Sequence, residues 1–558
     1  MSEIKSYPFK STSLTEIGAN KFGLNWPVVY ILNNDSQAYI GETSNAYARL
    51  NTHINDIKRR QGLETINIIY DEEFNKSAVL DLESQLIQYF TADQKFQLQN
   101  IIPGQSQSHN YYQRMLYLQK LDNIWHLLQK RGLVNHPLDT LKNSDLFKYS
   151  PYKQLSEDQY ATATAILDAL IDNINEPAHA FLVTGAAGSG KTILAVYLMK
   201  RISDALNRNI DIRDIEDDED HFFALFLNLQ KQETFDYAFV VPMTALRKTL
   251  KRVFKSIKGL KPSMIIGPND VAKKHYDLLI VDEAHRLSQR QGITNYQSYD
   301  NTNKALGLPK NATQLDWIKK SSRFQILFYD ANQSIRPADI NQDDFTAFRN
   351  NADLFNLTSQ LRVSGGNEYM QFIQNLFSLN QQPAIYHKSD YDIQIFDNAN
   401  EMVEAIKVKD SEYGLCRNIA GFSWPWTTKN LTYQEAVQKG LYDIDIQGYH
   451  YIWNTESEWI NSENAINEIG CIHRIQGYDL NYTGLIIGNE LTYDDINKCF
   501  VLNKNAYYDT KGKNGTDDDS LLSYILNIYK VNLTRGIRGT YIYACDAKLR
   551  QYLKDHIK

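Results

Sequence analysis

Short apolar runs alternate with amphipathic stretches through the first 110 residues of the chain. Runs of β-branched and aromatic residues predict strands, and apolar residues at helical spacing predict helices between them. The predicted strands cover residues 28–32, 38–41 and 66–70, and the predicted helices cover residues 45–58 and 76–90. Residues 33–36, Asn-Asn-Asp-Ser, are typical of a turn between the first two strands. The pattern predicts a small α/β domain over residues 1–110.

The pattern changes after this domain. Residues 111–150 carry apolar positions at helical spacing and are predicted to form a helical connector. From about residue 151 onward, strand and helix patterns alternate, which is typical of parallel sheets with crossover helices. The length of 558 residues agrees with three or four domains. We therefore expect an α/β fold in which a small domain precedes a larger region of parallel sheets.

Composition places the chain among ordinary globular proteins. Hydrophobic residues make up 43% and charged residues 22%, which leaves enough apolar material for several cores. No apolar run approaches the roughly 18–20 residues that cross a bilayer, and residues 1–5 lack the apolar stretch of a secretory signal. The four cysteines form no C-x-x-C pair, so a disulfide framework or a zinc site is not expected. These features predict a cytoplasmic protein without a membrane partner.

One basic segment stands out against the net charge of −7. Residues 247–274 carry nine lysines and arginines and only one acid, Asp270. Apolar residues recur within it at helical spacing, which predicts a helix with one buried face and one basic face. A solvated lysine face explains the charges as well as contact with a phosphate backbone does. The charges alone favour nucleic-acid binding only modestly.

Residues 185–192 read Gly-Ala-Ala-Gly-Ser-Gly-Lys-Thr and fit the phosphate-binding loop pattern G-x-x-x-x-G-K-[ST]. An apolar run at 180–183 precedes the loop and a helical stretch at 193–199 follows it, which is the context that this loop requires. Lys191 would reach the β- and γ-phosphates, and the Thr192 hydroxyl would ligate Mg²⁺. ATP and Mg²⁺ are therefore the expected cofactors. Their predicted binding residues in the loop are Gly185, Gly188, Ser189, Gly190, Lys191 and Thr192.

A second segment completes this chemistry. The apolar run 277–281 predicts a strand, and the strand ends in Asp282 and Glu283. Asp282 can hold Mg²⁺ through water, and Glu283 can orient and deprotonate an attacking water. A strand that ends in acids by chance is the alternative. The loop at 185–192, about ninety residues upstream, argues against it.

With these motifs, the region from about 151 to 558 resembles superfamily 1 helicases, and more closely the helicase-like domain of the Schlafen group. The resemblance implies two RecA-like lobes, over residues 151–350 and 351–558. Gln159 would then read the adenine, and residues 239–244 match a motif that touches the nucleic-acid backbone. The other positions that match in this region are Asp330 and Gln333, which couple ATP to the strand, and Arg362, which reaches the γ-phosphate.

The second lobe carries two further motifs of this family. Residues 471–479 resemble the T-x-H-x-x-Q-G-x-[DE] motif, with Cys471 in place of the threonine. The resemblance places His473, Gln476 and Gly477 near the nucleotide and the strand. Residues 533–539 resemble the last motif, whose matching arginines are Arg535, an arginine finger from across the cleft, and Arg538, a nucleotide ligand. Hydrolysis would then depend on lobe closure, because Lys191 and Mg²⁺ lie on one lobe and the arginines lie on the other.

Two observations limit what this motor is expected to do. The second lobe has no obvious large insertion of the kind that processive unwinding helicases carry, so we expect translocation or remodelling. The aromatic cluster Phe422, Trp424 and Trp426 could stack on bases, but core packing is favoured for it.

The N-terminal domain carries an ordered set of polar residues: Tyr30, the triplet Tyr39-Ile40-Gly41, Arg49, His53, Glu83 and Asn100. This set resembles the GIY-YIG nuclease family over about residues 22–105. The first triplet, 28–30, lacks its glycine and keeps its tyrosine. Each residue alone could be structural, and the ordered set is what favours a nuclease fold.

The resemblance implies a metal-dependent cleavage site. Glu83 would hold one Mg²⁺ or Mn²⁺ together with waters and a phosphate oxygen. Tyr30 could take the proton of the attacking water, Tyr39 could position that water, and Arg49 would neutralise the developing charge. His53 matches a histidine frequent in the family. The domain carries nine basic and twelve acidic residues, so we expect the motor region to deliver the strand.

These expectations define three functional hypotheses. The leading one is a motor-coupled nuclease that acts on DNA, a combination that suggests prokaryotic defence against phage. The second is an ATP-gated nucleic-acid sensor that signals to a protein partner. The third is an RNA-directed enzyme, because Schlafen-group relatives are associated with RNA. The sequence leaves the oligomeric state open, a homo-oligomer included.

Overall fold

The structure of the chain is a computed structural model. It describes all residues except 1, 56–61, 101–110, 208–219, 294, 335, 361–362, 380–382, 388–390, 457–458, 476–477 and 515. The described residues form two compact units. The first unit comprises residues 1–177, 192–239 and 248–265, and the second comprises residues 178–191, 240–247 and 266–558.

The N-terminal domain is built on a five-stranded sheet with the strand order β1-β4-β2-β3-β5. Its elements are β1 (Glu3–Pro8), α1 (Ser13–Ala19), β2 (Val28–Asn33), β3 (Gln37–Thr43), α2 (Ala46–Asn55), β4 (Thr65–Tyr70), α3 (Lys76–Asp93) and β5 (Gln97–Leu98). The three predicted strands and two predicted helices are all present. The Asn34 side chain accepts bonds from the Ser36 and Gln37 amides, which closes the predicted turn. The sequence pattern did not reveal the two outer strands, β1 and β5.

The predicted connector forms three helices: α4 (Arg114–Lys130), α5 (Leu138–Lys142) and α6 (Asp145–Lys148). All three pack against α3. The buried Asp81 carboxylate on α3 accepts bonds from Tyr111, Arg114 and Gln154 at 3.0–3.1 Å. At the other end of α3, Asp93 accepts the backbone N–H groups of residues 135 and 136. The connector therefore packs along the nuclease-like domain, and it does not merely link that domain to the rest.

The first lobe of the motor region has a six-stranded sheet with the order β11-β6-β10-β9-β7-β8. Its elements are α7 (Glu157–Asp172), β6 (His179–Gly185), α8 (Lys191–Ala205), α9 (Asp220–Gln230), β7 (Tyr237–Val240), α10 (Thr244–Ser256), β8 (Ile265–Ile266), β9 (Tyr276–Val281), α11 (Tyr296–Ala305), α12 (Gln314–Ser321), β10 (Ser322–Tyr329), α13 (Gln342–Arg349) and β11 (Asp353–Leu357). Strands β11, β6, β10 and β9 are parallel. Their carboxyl ends therefore share one edge, where ligands of such sheets bind.

The second lobe has a seven-stranded sheet with the order β12-β20-β17-β13-β16-β15-β14. Its elements are α14 (Gly366–Leu376), β12 (Asp392–Ile395), α15 (Ala399–Tyr413), β13 (Arg417–Ala420), α16 (Tyr433–Gln438), β14 (Ile444–Ile446), β15 (Tyr449–Trp453), β16 (Glu468–Cys471), α17 (Ile472–Ile475), β17 (Leu480–Ile487), β18 (Leu491–Asp494), β19 (Cys499–Leu502), α18 (Thr510–Lys513), α19 (Asp518–Leu533), β20 (Gly536–Ala544) and α20 (Ala547–His556). Two parallel-sheet lobes agree with the predicted fold class. Of the helices in the described ranges, none is both long and apolar enough for a membrane span.

The aromatic cluster of the second lobe packs on its core. Phe422 stacks on the buried Trp453 with ring centroids 5.5 Å apart, and Trp424 meets the same ring edge-on at 6.4 Å. Trp426 packs against the same hydrophobic cluster. This arrangement is the core packing that the sequence favoured over base stacking.

A buried ion pair lies in α8, the helix that follows the phosphate-binding loop. Lys200 Nζ lies 2.5 Å from the Asp204 carboxylate, and both side chains are about 5% exposed or less. Lys200 Nζ also lies 5.6 Å from the ring centroid of the buried Tyr152. Burial raises the pKa of Asp204, and Lys200 only partly offsets that effect. The ammonium group of Lys200 therefore reduces the free energy needed to keep the Asp204 carboxylate charged in the protein interior.

We expect Lys200→Met to destabilise the protein by about 3–5 kcal/mol, because it leaves the Asp204 charge buried without the ammonium group that bonds to it. The measurement is the midpoint of thermal unfolding. The deficit should shrink as the pH falls, because the raised pKa lets folded Asp204 take up a proton before the unfolded chain does. The double variant Lys200→Met, Asp204→Leu is the control and should be close to wild type. An equal loss in both variants would contradict the explanation.

Candidate functional site

The tyrosine of the first triplet lies at the centre of a polar cluster in the N-terminal domain. Tyr30 is fully buried on β2, and its hydroxyl lies 2.7 Å from Nε2 of His53 on α2. One turn earlier on the same helix, Arg49 Nε donates to the Tyr30 oxygen at 3.4 Å. Tyr39 on β3 completes the group, with its ring centroid 6.2 Å from Tyr30 and 5.2 Å from His53. Four of the predicted site residues are thus brought together.

The glycine of the second triplet makes room for this cluster. Gly41 on β3 pairs with Tyr30 on β2 in the antiparallel register. A Cβ atom at residue 41 would lie 2.4 Å from the Tyr30 oxygen and 2.5 Å from Cζ. The phenol therefore lies across the backbone of the triplet, and only glycine leaves the space for it.

We expect Gly41→Ala to lower cleavage by about 100-fold, because the new methyl group displaces the Tyr30 hydroxyl by the order of an ångström. The rate of nucleic-acid cleavage measures this effect, with the thermal-unfolding midpoint recorded beside it. Thr43→Ala, at a half-buried position of the same strand, is the control. Full cleavage by Gly41→Ala would show that the hydroxyl does not need its present position.

Electrostatics keep the Tyr30 phenol neutral. Burial raises the pKa of Tyr30 well above its ordinary value, the nearby Tyr39 and Glu83 raise it further, and Arg49 acts in the opposite direction. A neutral phenol takes up a proton only as it passes its own proton on, and His53 Nε2 is in position to receive it. The pair of Tyr30 and His53 is therefore better suited to proton transfer than Tyr30 alone.

Glu83 fits a metal site built from one protein carboxylate. It is half-buried on α3, close enough to Tyr30 for its charge to raise the pKa of the phenol. Among the residues that the structure describes, no group of three or more His, Cys, Asp and Glu side chains could hold an ion. Mg²⁺ commonly takes one or two carboxylates and fills its other positions with water and phosphate. The donor set therefore fits Mg²⁺ or Mn²⁺ held at a bound phosphodiester.

Asn100 has a positioning role in the structure. Its side chain accepts the Ile40 N–H at 3.1 Å and donates to the Ile40 carbonyl at 2.7 Å. These two bonds fix the backbone of β3 between Tyr39 and Gly41. Asn100, which matches an asparagine of the family, therefore holds in place the strand that carries the second triplet.

The phosphate-binding loop has the backbone that its sequence predicts. Gly188 and Gly190 adopt φ values of 90° and 79°, which L side chains rarely reach. A Cβ at Gly185 would lie 2.6 Å from the Ser189 hydroxyl. Helix α8 begins at Lys191, so Thr192 lies in its first turn. These residues leave the loop amides free of bulky neighbours, which fits a bound triphosphate.

The loop lysine connects the loop to the next motif along the sheet edge. Lys191 Nζ donates to the Gly185 and Ala186 carbonyls at 2.6 and 3.0 Å and lies 3.5 Å from the Asp330 carboxylate. Gln333 donates to that same carboxylate at 2.6 Å. Asp330 therefore links Gln333, the other predicted coupling residue, to the lysine that would hold the phosphates.

The acidic pair after β9 is buried beside this loop. The Asp282 carboxylate is fully buried and accepts the Glu283 N–H at 2.9 Å. Glu283 adopts φ 49°, an uncommon value for a residue other than glycine, and such values concentrate at functional sites. Burial alone would raise the pKa of Glu283. His285, Lys191 and Arg286 outweigh burial and hold that pKa well below its ordinary value.

His285 was not among the predicted site residues. Its Nε2 lies 2.9 Å from the Glu283 carboxylate, and it is buried. Next to it, the buried Arg286 donates to Asp339 at 3.1 Å. The string Asp-Glu-Ala-His at 282–285 was the available indication, since a histidine two residues after the acid can reach back to it.

The remaining predicted residues lie elsewhere or outside the described part. The buried Gln159 side chain accepts the Ser156 N–H at 3.1 Å in a capping box of α7. Arg535 is buried and donates to the Val531 carbonyl at 3.2 Å and the Tyr478 carbonyl at 3.4 Å. Arg538 is exposed and lies 4.6 Å from the Tyr413 ring centroid. Three predicted residues lie outside the described residues, namely Arg362, Gln476 and Gly477.

Two family models match the chain. The model described as Schlafen group 3, DNA/RNA helicase domain, matches residues 178–546. The model of the GIY-YIG catalytic domain matches residues 26–97. The second match contains the residues from Tyr30 to Glu83 and the first contains those from Lys191 to Arg538, whereas Asn100 and Gln159 lie outside both.

The chain is also similar to a yeast protein and to solved helicase structures. An uncharacterized protein of Saccharomyces cerevisiae is 27% identical over 408 residues, which is 67% of this chain and 83% of that protein. A helicase from an arterivirus, nonstructural protein 10 in complex with DNA, is 12% identical with a TM-score of 0.28 over 71% of this chain. This chain covers 65% of that helicase. The Pif1 helicase from Bacteroides in complex with ADP-AlF3 and single-stranded DNA is 13% identical with a TM-score of 0.25, over 69% of this chain and 93% of the helicase.

Proposed function

Because the chain belongs to the family of Schlafen group 3 DNA/RNA helicase domains and carries a GIY-YIG domain before it, we propose that it is an ATP-dependent nucleic-acid motor fused to a metal-dependent endonuclease. The motor region binds DNA and moves along it or reshapes it. The N-terminal domain hydrolyses phosphodiester bonds in the strand that the motor supplies. Removal of foreign DNA such as that of phage, in the cytoplasm, is the role that suits this combination.

One observation carries the proposal: each half holds its own preassembled cluster. In the N-terminal domain, Tyr30 contacts both His53 and Arg49. In the other, Lys191 and Gln333 both contact Asp330. A purely metabolic ATPase has no use for the first cluster, and a simple nuclease has no use for the second.

In the motor region, the chain's own residues bind the nucleotide and activate water. The loop amides and Lys191 bind the phosphates. Lys191 then donates to phosphate oxygens and no longer to the two loop carbonyls that it contacts in the structure. Mg²⁺, held by Thr192 and Asp282, would neutralise charge on the phosphates when bound. Glu283 remains ionised because its pKa is held low, and it accepts the proton of the attacking water. Asp330 and Gln333 sense the occupied site through Lys191.

In the nuclease domain, the residues act on one phosphodiester. A water oxygen forms the new bond to phosphorus, the bond to the leaving sugar oxygen breaks, and that oxygen takes a proton from solvent. The water proton passes to Tyr30, whose own proton passes to His53. Arg49 stabilises the charge that develops on the phosphate oxygens. A metal ion at Glu83 would supply Lewis acidity to the same phosphate.

The test is cleavage of circular and linear DNA, and of matched RNA, by the full chain with Mg²⁺ or Mn²⁺, with and without ATP. The proposal expects metal-dependent cutting of DNA that responds to ATP. Cutting of RNA alone would identify an RNA-directed enzyme. ATP hydrolysis stimulated by nucleic acid, with no cutting under any of these conditions, would contradict the nuclease role and favour a sensor.

A further inference from the structure

A cavity of about 250 Å³ lies where the end of α10 meets the nuclease-like domain, within the first compact unit. Lys255 and Lys258, at the end of α10, form one wall. Gln94, at the end of α3, and Gln97, on β5, form the other. The buried residues Phe96, Leu98, Tyr152 and Ile257 also line the cavity, together with the polar Thr91 and Ser256. None of the roles assigned above uses this cavity.

The cavity is positively charged. Lys255 and Lys258 are exposed, and neither forms an ion pair with any carboxylate in the described part of the chain. Lys258 lies near enough to the buried Asp204 to act on its titration, but Lys200 already pairs with that carboxylate. The two ammonium groups therefore leave a surplus of positive charge at the cavity, which attracts an anion.

The basic face of α10 leads to this cavity. Its buried face is formed by Leu250, Val253 and Phe254, as the sequence predicted. The exposed cations of the same helix and its end are Lys248, Lys251, Arg252, Lys255 and Lys258. They follow directly on residues 239–244, the motif that resembles a nucleic-acid contact. Arg252 also contacts Asp145 on α6 at 3.3 Å, so the face runs along the connector of the nuclease-like domain.

The cavity is also close to the cleavage cluster. Leu98 on β5 pairs with Ala38 on β3, and Ala38 is the neighbour of Tyr39. Thr91, which lines the cavity, follows Glu83 on α3 by eight residues. At 1.5 Å per residue, that distance is about 12 Å along the helix axis. A strand held in the cavity would therefore pass the cleavage site within a few nucleotides.

We propose that the cavity at Lys255 and Lys258 binds the phosphate backbone of the nucleic-acid strand and guides it from the motor region to the nuclease site. Two lysine ammonium groups and two side-chain amides are phosphate-backbone ligands that read no base sequence. This inference rests on the proposed function. A free nucleotide offers the same phosphate chemistry, and the experiment below separates the two sources.

The experiment compares the wild-type chain with the double variant Lys255→Gln, Lys258→Gln. Binding of single-stranded DNA is measured over a range of salt concentrations, and cleavage is measured on the same DNA. Loss of two phosphate contacts should reduce the slope of log K against log salt by about 1.4, because each contact on a single strand contributes about 0.7. Cleavage should fall at least tenfold at moderate salt. The control is Lys319→Gln, Lys320→Gln, which removes two exposed lysines from the end of α12.

Three outcomes overturn the inference. One is a salt slope and a cleavage rate equal to those of the control. Binding of AMP, measured on the same proteins, gives another: loss of AMP binding in the Gln variant with an unchanged salt slope for DNA would identify a nucleotide site. The third is a lowered unfolding midpoint of the Gln variant together with no recovery of the slope in Lys255→Arg, Lys258→Arg, which keeps both positive charges. That result would assign the loss of binding to unfolding. If the wild type binds DNA with the expected slope and cuts nothing, the proposed nuclease function fails while the strand contact stands.

Discussion

Glu283→Gln is expected to lower ATP hydrolysis by about 10²- to 10⁴-fold while ATP still binds. The amide keeps the size of the side chain but cannot take the proton of the attacking water. His285 lies 2.9 Å from the Glu283 carboxylate and, with Lys191 and Arg286, holds its pKa well below the ordinary range, so Glu283 is ionised and free to accept a proton before hydrolysis. The measurement is steady-state ATP hydrolysis beside equilibrium binding of ATP, both in the presence of DNA.

The matched control for this variant is Glu233→Gln, which changes an exposed carboxylate of the same lobe. The pH dependence supplies a second check. A depressed pKa keeps Glu283 charged as the pH falls, so the rate should not decline through the ordinary glutamate range near pH 4.5 on account of this group. Hydrolysis within a few-fold of wild type in Glu283→Gln would assign the base to another residue.

Glu83→Gln is expected to abolish cleavage, by at least about 10³-fold, because a neutral amide removes the carboxylate that Glu83 would offer a metal ion. The amide preserves the volume of a half-buried side chain on α3, so the fold should remain. The measurement is single-turnover cleavage of DNA against the concentration of Mg²⁺ and of Mn²⁺. A residual activity recovered only at high Mn²⁺ agrees with a weakened site.

The control for Glu83→Gln lies in the same domain. Glu64 is an exposed carboxylate just before β4, and Glu64→Gln removes one negative charge without touching the cluster. It should cut at the wild-type rate. Equal cleavage by Glu83→Gln and wild type at all metal concentrations would show that Glu83 does not hold the metal ion. The cluster around Tyr30 would then have no assigned metal ligand.

Local sequence patterns predicted the elements that carry the chemistry. The strand before the phosphate-binding loop, the glycines of the loop and the acidic end of β9 follow from neighbouring residues, so periodicity and spacing are sufficient for them. The outer strands β1 and β5 were missed for a physical reason. Gln97–Leu98 has only two residues, and Glu3–Pro8 is partly polar because it lies at the sheet edge.

Contacts between distant segments could not be predicted from these patterns. The need for Gly41 depends on its register opposite Tyr30, and a sequence pattern does not fix that register. The pairing of Asn100 with Ile40 joins residues sixty positions apart. The packing of the connector on α3 depends on Asp81, whose partners follow it by thirty residues or more. The roles of Arg535 and Arg538 remain predictions from the family motif.

The most direct test of the central claim, that the motor and the nuclease act as one machine, is cleavage of circular DNA by three chains with and without ATP. The chains are wild type, Glu83→Gln and Lys191→Ala. The account predicts that wild type responds to ATP, that Glu83→Gln does not cut in either condition, and that Lys191→Ala loses the ATP response. Cutting by Lys191→Ala at the wild-type rate with the wild-type response to ATP would contradict the account.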